Sequence, residues 1–258
     1  MASTARSRNA SSSSSSSSSG NTIRSYLLAY NSICFALWTT CTLRMVLLIP
    51  LLAPSGHSAA VFAHLFSPLL VVTQSLAILE VIHSITGIVR APVFTTLIQV
   101  GSRILLVWGV MYLFREGGRY VTPGEGIVGG DYEGLVGKGV QPGPGAKVGD
   151  LAFFGCLAAW GVTECVRYGF FALQVWGMGV PAWWTWLRYN TFYVLYPIGI
   201  SSECILIWKA LKPAAKLHPL YQWFLVAILV IYVPGSYILY THMIAQRQRV
   251  MRGKKRAN

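Results

Sequence analysis

The chain has 258 residues, 54% of them apolar and only 11% charged, with a formal net charge of +13. Soluble domains average about 25% charged residues, so this composition excludes a soluble enzyme and points to a polytopic membrane protein. Six of the 21 lysines and arginines fall in the last twelve residues and most of the rest flank apolar runs, which fits anionic lipid on one membrane face better than a nucleic-acid groove.

Residues 1–25 form a polar tail with Arg6, Arg8, Arg24 and nine consecutive serines. Such a low-complexity segment has no apolar surface to bury and is expected to be disordered. No cleavable leader is expected, because the first apolar run starts near residue 26 and is long enough to span. Six apolar runs follow: Tyr26–Leu52, Val61–Ile85, Pro92–Phe114, Leu151–Trp176, Trp184–Leu211 and Pro219–Ile244. Crossing a bilayer takes roughly 20 residues. The runs therefore predict an all-α membrane protein, a bundle of six transmembrane helices filling residues 26–244.

Between the third and fourth runs, residues 116–150 form a Gly-rich loop with PGEGIVGG and GVQPGPG. It holds no G-x-x-x-x-G-K-[ST] pattern and no strand precedes it, so it reads as a flexible connector and not a phosphate cradle. Residues 245–258 make a basic tail. An even number of spans puts both termini on one side, which collects eleven lysines and arginines against seven on the other. Both termini are accordingly expected in the cytosol, although Lys209, Lys212 and Lys216 favour the reverse. The five cysteines all lie in apolar segments without a C-x-x-C pair, so neither a zinc site nor a disulfide framework is indicated.

Several runs carry polar groups. The second has Gln74, Glu80 and His83, the third Gln99 and Arg103, the fourth Glu164, Arg167 and Tyr168. Ionisable residues inside a membrane are functional candidates, but opposite charges one turn apart also neutralise each other and fix helix packing. Both readings stay open for Glu80–His83 and Glu164–Arg167; Gln74, Gln99 and Arg103 read as structural. The fifth run differs. Tyr196 and Glu203 are seven residues apart, almost two helical turns, so both point the same way with Gly199 between them. Tyr189 is seven residues further back, with Arg188 beside it. No basic residue lies one turn from Glu203 towards the membrane centre. A carboxyl in that position, facing the bundle interior, is suited to proton transfer.

One further pattern is His83-Ser84-Ile85-Thr86-Gly87-Ile88-Val89-Arg90, which has the spacing of the tyrosine-phosphatase loop H-C-x-x-G-x-x-R. Serine replaces the nucleophilic cysteine, and that chemistry needs a thiolate. Phosphatase activity is not expected. A non-catalytic scaffold that binds phosphorylated protein through this loop would need Ser84 and Arg90 accessible. A small transporter would need broken helices in matching halves, and Pro197 lacks a counterpart in the first half.

The run from Gln74 through Glu80 and His83 to Gly87, the segment Gln99-Val100-Gly101-Ser102-Arg103, the triplet Glu164-x-x-Arg167-Tyr168 and the series Leu187-Arg188-Tyr189, Leu195-Tyr196-Pro197, Gly199, Glu203 together resemble the very-long-chain 3-hydroxyacyl-CoA dehydratases. That family is also called protein-tyrosine-phosphatase-like. The resemblance implies a multi-pass enzyme of the endoplasmic reticulum membrane that works beside other fatty-acid elongation enzymes. It implies the third step of the elongation cycle, dehydration of a 3-hydroxyacyl-CoA to the trans-2-enoyl-CoA, with the family's catalytic tyrosine and glutamate falling on Tyr196 and Glu203. Arg188, Tyr189, Arg167, Tyr168 and Arg90 are the expected substrate-binding residues, and no metal or redox cofactor is called for. Lys254 and Lys255 look like a di-lysine retrieval signal set one place too far from the end. The long Gly-rich loop and the serine run depart from the family pattern.

Removing a proton from C2 and expelling hydroxide from C3 needs a base and an acid on neighbouring atoms. Glu203 as base and Tyr196 as acid is the assignment adopted, with the reverse also open. Their Cα atoms are about 10 Å apart along the helix, so the side chains must converge on substrate lying in an apolar tunnel between helices.

Overall fold

A segment immersed in lipid must satisfy its peptide groups internally, and a helix does so with every residue. The computed structural model describes residues 4–52, 58–116, 118–121, 125–129 and 148–257, and among these the chain is helical without strands. The first helix, α1, runs Thr4–Leu52. Its path N-terminal to Gly20 includes the serine run expected to be disordered. The second span is built in pieces: α2 (Ser58–Leu65), a π-helical turn (Phe66–Leu70), α3 (Val71–Ser75) and α4 (Ile78–Ile85). Pro68 sits in that turn, where its missing N–H and its ring disturb regular α-helical bonding. The third span is α5 (Val93–Ile104) continued by a π-helical segment, Leu105–Tyr112. Then come α6 (Val148–Trp176), α7 (Ala182–Asn190), α8 (Phe192–Leu217) and α9 (Pro219–Ala257).

Six helical stretches are long and apolar enough to cross a membrane: Gly20–Leu51, Val61–Ile85, Val93–Tyr112, Val148–Trp176, Ala182–Leu217 and Pro219–Val250. Each falls on one of the runs predicted from sequence. The Gly-rich loop lies for most of its length outside the described residues.

The central pillar is α6. Of its most apolar stretch 61% is buried, against 6% for the last span. It packs between α1 and α8, and α8 in turn packs on α9. Without a hydrophobic force between helices in lipid, close backbone approach depends on small residues. A Cβ added at Gly161 would lie 2.4 Å from Thr42 Oγ1 of α1, and one at Gly155 would lie 2.6 Å from Ser202 Oγ of α8. The second contact draws α8 onto α6 at the residue next to Glu203. Around Phe153 of α6, the rings of Phe62 and Phe66 close one end of the core.

Two connections fix the orientation of these helices. Arg24 of α1 donates from Nε to the Val175 carbonyl at 2.8 Å and from Nη2 to the Trp176 carbonyl at 2.9 Å. It thereby caps the carbonyl-bearing end of α6, where a cation also suits the helix dipole. Between α8 and α9 stands His218 alone, in an extended conformation, so the two helices are antiparallel neighbours.

Candidate active site

Antiparallel packing decides which residues of α9 meet α8. Glu203 meets Tyr232, and Tyr196, two turns nearer the start of α8, meets Ser236 and Tyr240 further along α9. Glu203 therefore enters the seam of α6, α8 and α9, and Tyr196 the groove between α8 and α9.

Glu203 is buried, with 8% of its surface exposed. Its Oε1 accepts a hydrogen bond from the Trp160 indole Nε1 at 2.8 Å, and its Oε2 accepts one from the Tyr232 hydroxyl at 2.8 Å. Among the described residues no cation forms an ion pair with it. The Arg103 guanidinium stands over the Trp160 ring, 5.2 Å from its centroid, one aromatic ring removed from the carboxylate. Tyr196 is half-buried; its hydroxyl donates to the Ser236 carbonyl at 3.0 Å and its ring stacks on Tyr240 with centroids 5.6 Å apart.

These partners set which atoms donate and which accept. An indole N–H only donates, so the oxygen facing it acts as an acceptor, as a carboxylate oxygen or the carbonyl oxygen of a neutral carboxyl can. Tyr196 already holds its proton out as a donor. On α8 the surface between Tyr196 and Glu203 is Gly199, which is buried and whose added Cβ would meet only the Ala159 Cβ, at 3.4 Å. Gly199→Ala is expected to keep the fold and most of the activity. Gly199→Leu, whose side chain would lean over the turn towards Tyr196, is expected to lower turnover by about 10²-fold through misplacement. Steady-state kinetics of the two purified variants check this.

A second polar cluster crosses the second, third and fourth spans. Glu164, 2% exposed, is bridged by Arg103 from α5 and by Arg167 on its own helix at 2.6 Å. Arg167 also donates from Nη2 to Glu80 Oε1 at 2.6 Å, and the Tyr168 hydroxyl donates to the same oxygen. Glu164–Arg167 thus forms the pair its spacing suggests. Glu80–His83 does not: Glu80 reaches across to α6, while His83 shares a 2.7 Å hydrogen bond with the Tyr26 hydroxyl of α1. Arg103, read from sequence as structural, closes the network. Gln74 is 1% exposed, and among the described residues neither its amide nitrogen nor its oxygen has a partner.

The remaining candidates lie apart from Tyr196 and Glu203. Arg188 of α7 covers the Phe170 and Phe171 rings at 4.4 and 4.6 Å and approaches the Tyr189 ring at 5.9 Å. Arg90 is exposed on the loop after α4. Arg167 and Tyr168 are engaged in the ion network. Beside α7, Arg247 donates to Asn190 Oδ1 at 2.9 Å, which adds a cation to this end of the bundle. Two clefts, of about 250 Å³ beside Trp183 and Trp184 and about 500 Å³ beside Lys209 and Lys212, include neither Tyr196 nor Glu203.

In the phosphatase-like loop the Ser84 hydroxyl donates to the Ala91 carbonyl at 2.9 Å, and Gly87 takes a left-handed conformation with φ +73°. Ser84 is buried, which is not the accessible position that a phosphoprotein-binding loop requires.

Sequence reasoning did not single out Trp160, Tyr232, Ser236 and Tyr240. The available signal was spacing: Tyr232, Ser236 and Tyr240 repeat every four residues along the sixth run, and Trp160 precedes Glu164 by four.

The chain matches the family model described as protein tyrosine phosphatase-like protein, PTPLA, over residues 74–253. A probable very-long-chain (3R)-3-hydroxyacyl-CoA dehydratase of Schizosaccharomyces pombe is 39% identical over 225 residues, covering 87% of this chain and 92% of the relative. The dehydratase PASTICCINO 2A of Oryza sativa is 34% identical, covering 91% and 96%, and the dehydratase hpo-8 of Caenorhabditis elegans is 31% identical, covering 90% and 96%. No solved structure gives a significant match.

Proposed function

The chain belongs to the protein tyrosine phosphatase-like family, and on that premise we propose that Tyr196 and Glu203 dehydrate a very-long-chain (3R)-3-hydroxyacyl-CoA to its trans-2-enoyl-CoA. The enzyme is a carbon–oxygen lyase acting at the third step of the membrane-bound fatty-acid elongation cycle. The observation that carries the assignment of residues is the Glu203 carboxyl group, buried with no ion pair among the described residues and held by Trp160 and Tyr232 on the stripe it shares with Tyr196.

The thioester acidifies C2. Glu203 takes the C2 proton, the C–H electron pair becomes the C2–C3 double bond, and the C3 hydroxyl leaves as water with the proton given by Tyr196. Before the next turnover the proton left on Glu203 returns to the Tyr196 phenolate, directly or by exchange through solvent. The acyl chain lies between the helices, and the CoA sits at the end of the bundle carrying Arg188, Tyr189, Arg90 and Arg247, whose guanidiniums suit its phosphates. Arg167, paired with Glu80 and Glu164, and Tyr168, which donates to Glu80, hold the helices around the site. That end faces the cytosol, with both chain termini, in the membrane of the endoplasmic reticulum, and other elongation enzymes deliver the substrate and remove the product.

Purified protein in detergent, given a ladder of 3-hydroxyacyl-CoA chain lengths and analysed chromatographically, is expected to form the enoyl-CoA. Absence of turnover at every length, with folded protein, would refute the reading.

A further inference from the structure

We propose that Tyr232 is a positioning residue of the dehydration site, acting with Trp160 to hold the Glu203 carboxylate in the one plane from which it reaches substrate. The inference rests on Glu203 being the base, as proposed above.

An ionised carboxylate offers about four lone-pair sites, two on each oxygen. Here one site on each oxygen is taken, Oε1 by the Trp160 indole on α6 and Oε2 by the Tyr232 phenol on α9, both at 2.8 Å. Two donors on two different helices fix the torsion of the carboxylate about its terminal bond, which is otherwise soft. One lone pair on each oxygen remains for the reaction. A base works only within hydrogen-bond reach of the proton it removes, so a freely turning carboxylate would spend most of its time misdirected.

The two clamps are not equivalent. The indole N–H can only donate, and its ring lies under the Arg103 guanidinium, 5.2 Å away. A phenol both donates and accepts. Once Glu203 has taken the C2 proton, Tyr232 can keep its bond to Oε2 in either direction, so the clamp survives both states of the base. Tyr232 also lies one turn from Ser236, whose carbonyl receives the Tyr196 hydroxyl. A single turn of α9 therefore sets the position of base and acid together.

The test is Tyr232→Phe, which keeps the ring and its packing and removes only the hydroxyl. Losing a hydrogen bond to a charged group is expected to lower kcat about 10- to 100-fold, with KM within about twofold because no contact with substrate is lost. Added to Glu203→Gln, the same change is expected to cause no further loss, since it acts through the carboxylate. Wild-type kcat in Tyr232→Phe beside an inactive Glu203→Gln would overturn the inference, as would a rise in KM at unchanged kcat, or an equal further loss in the Glu203→Gln background. Wild-type turnover in Glu203→Gln itself would instead overturn the assignment of the base.

Discussion

Replacing Glu203 by glutamine is expected to lower enoyl-CoA formation by about 10²- to 10⁴-fold, the range set by removal of a general base, while leaving the fold intact. The structure explains why the two effects separate. Glutamine has the length and shape of glutamate, so its carbonyl oxygen can still accept from Trp160 Nε1 and its amide can donate to the Tyr232 oxygen. Both bonds survive, yet the group can no longer take a proton from C2. The check is turnover per molecule of monodisperse protein, with a thermal midpoint equal to that of the wild type. Wild-type turnover would remove Glu203 from the chemistry.

Replacing Glu164 by leucine is expected to act the other way, on stability first. Glu164 is almost wholly buried and joins the Arg103 and Arg167 guanidiniums, of which, among the described residues, only Arg167 has a second carboxylate, Glu80, to fall back on. Breaking a buried pair from one side strands a charge in the interior and costs about 3–5 kcal/mol. The two guanidiniums are about a quarter exposed, so the lower end of that range is expected. Thermal unfolding in detergent reads it directly. An unchanged midpoint would mean that the three helices do not rely on the network for their spacing.

What the sequence made legible follows from how each feature is encoded. A bilayer sets span length almost alone, so unbroken apolar runs located all six helices. Tyr196 and Glu203 were legible because periodicity places residues seven apart on one face, and because a carboxylate among apolar neighbours is conspicuous. The partners of Glu80 were not legible. Its nearest polar neighbour in sequence is His83, but the rotation of α4 against α1 and α6 sends the two side chains to different helices, and no spacing within one run reports that rotation. Trp160 and Tyr232 were missed for a different reason. Aromatic residues are ordinary in such helices, and their hydrogen bonds to Glu203 exist only because α6 and α9 both pack against α8. The close packing of α6 and α8 at Gly155 is likewise a property of two helices and not of either alone.

The most direct measurement is enoyl-CoA formation by wild type, Tyr196→Phe, Glu203→Gln and the double variant, side by side in one detergent. If base and acid serve the same elimination, the double variant falls no further than the slower single variant, because groups that act as a unit are strongly non-additive. Losses that multiply, or full turnover in either single variant, would contradict a shared site on α8.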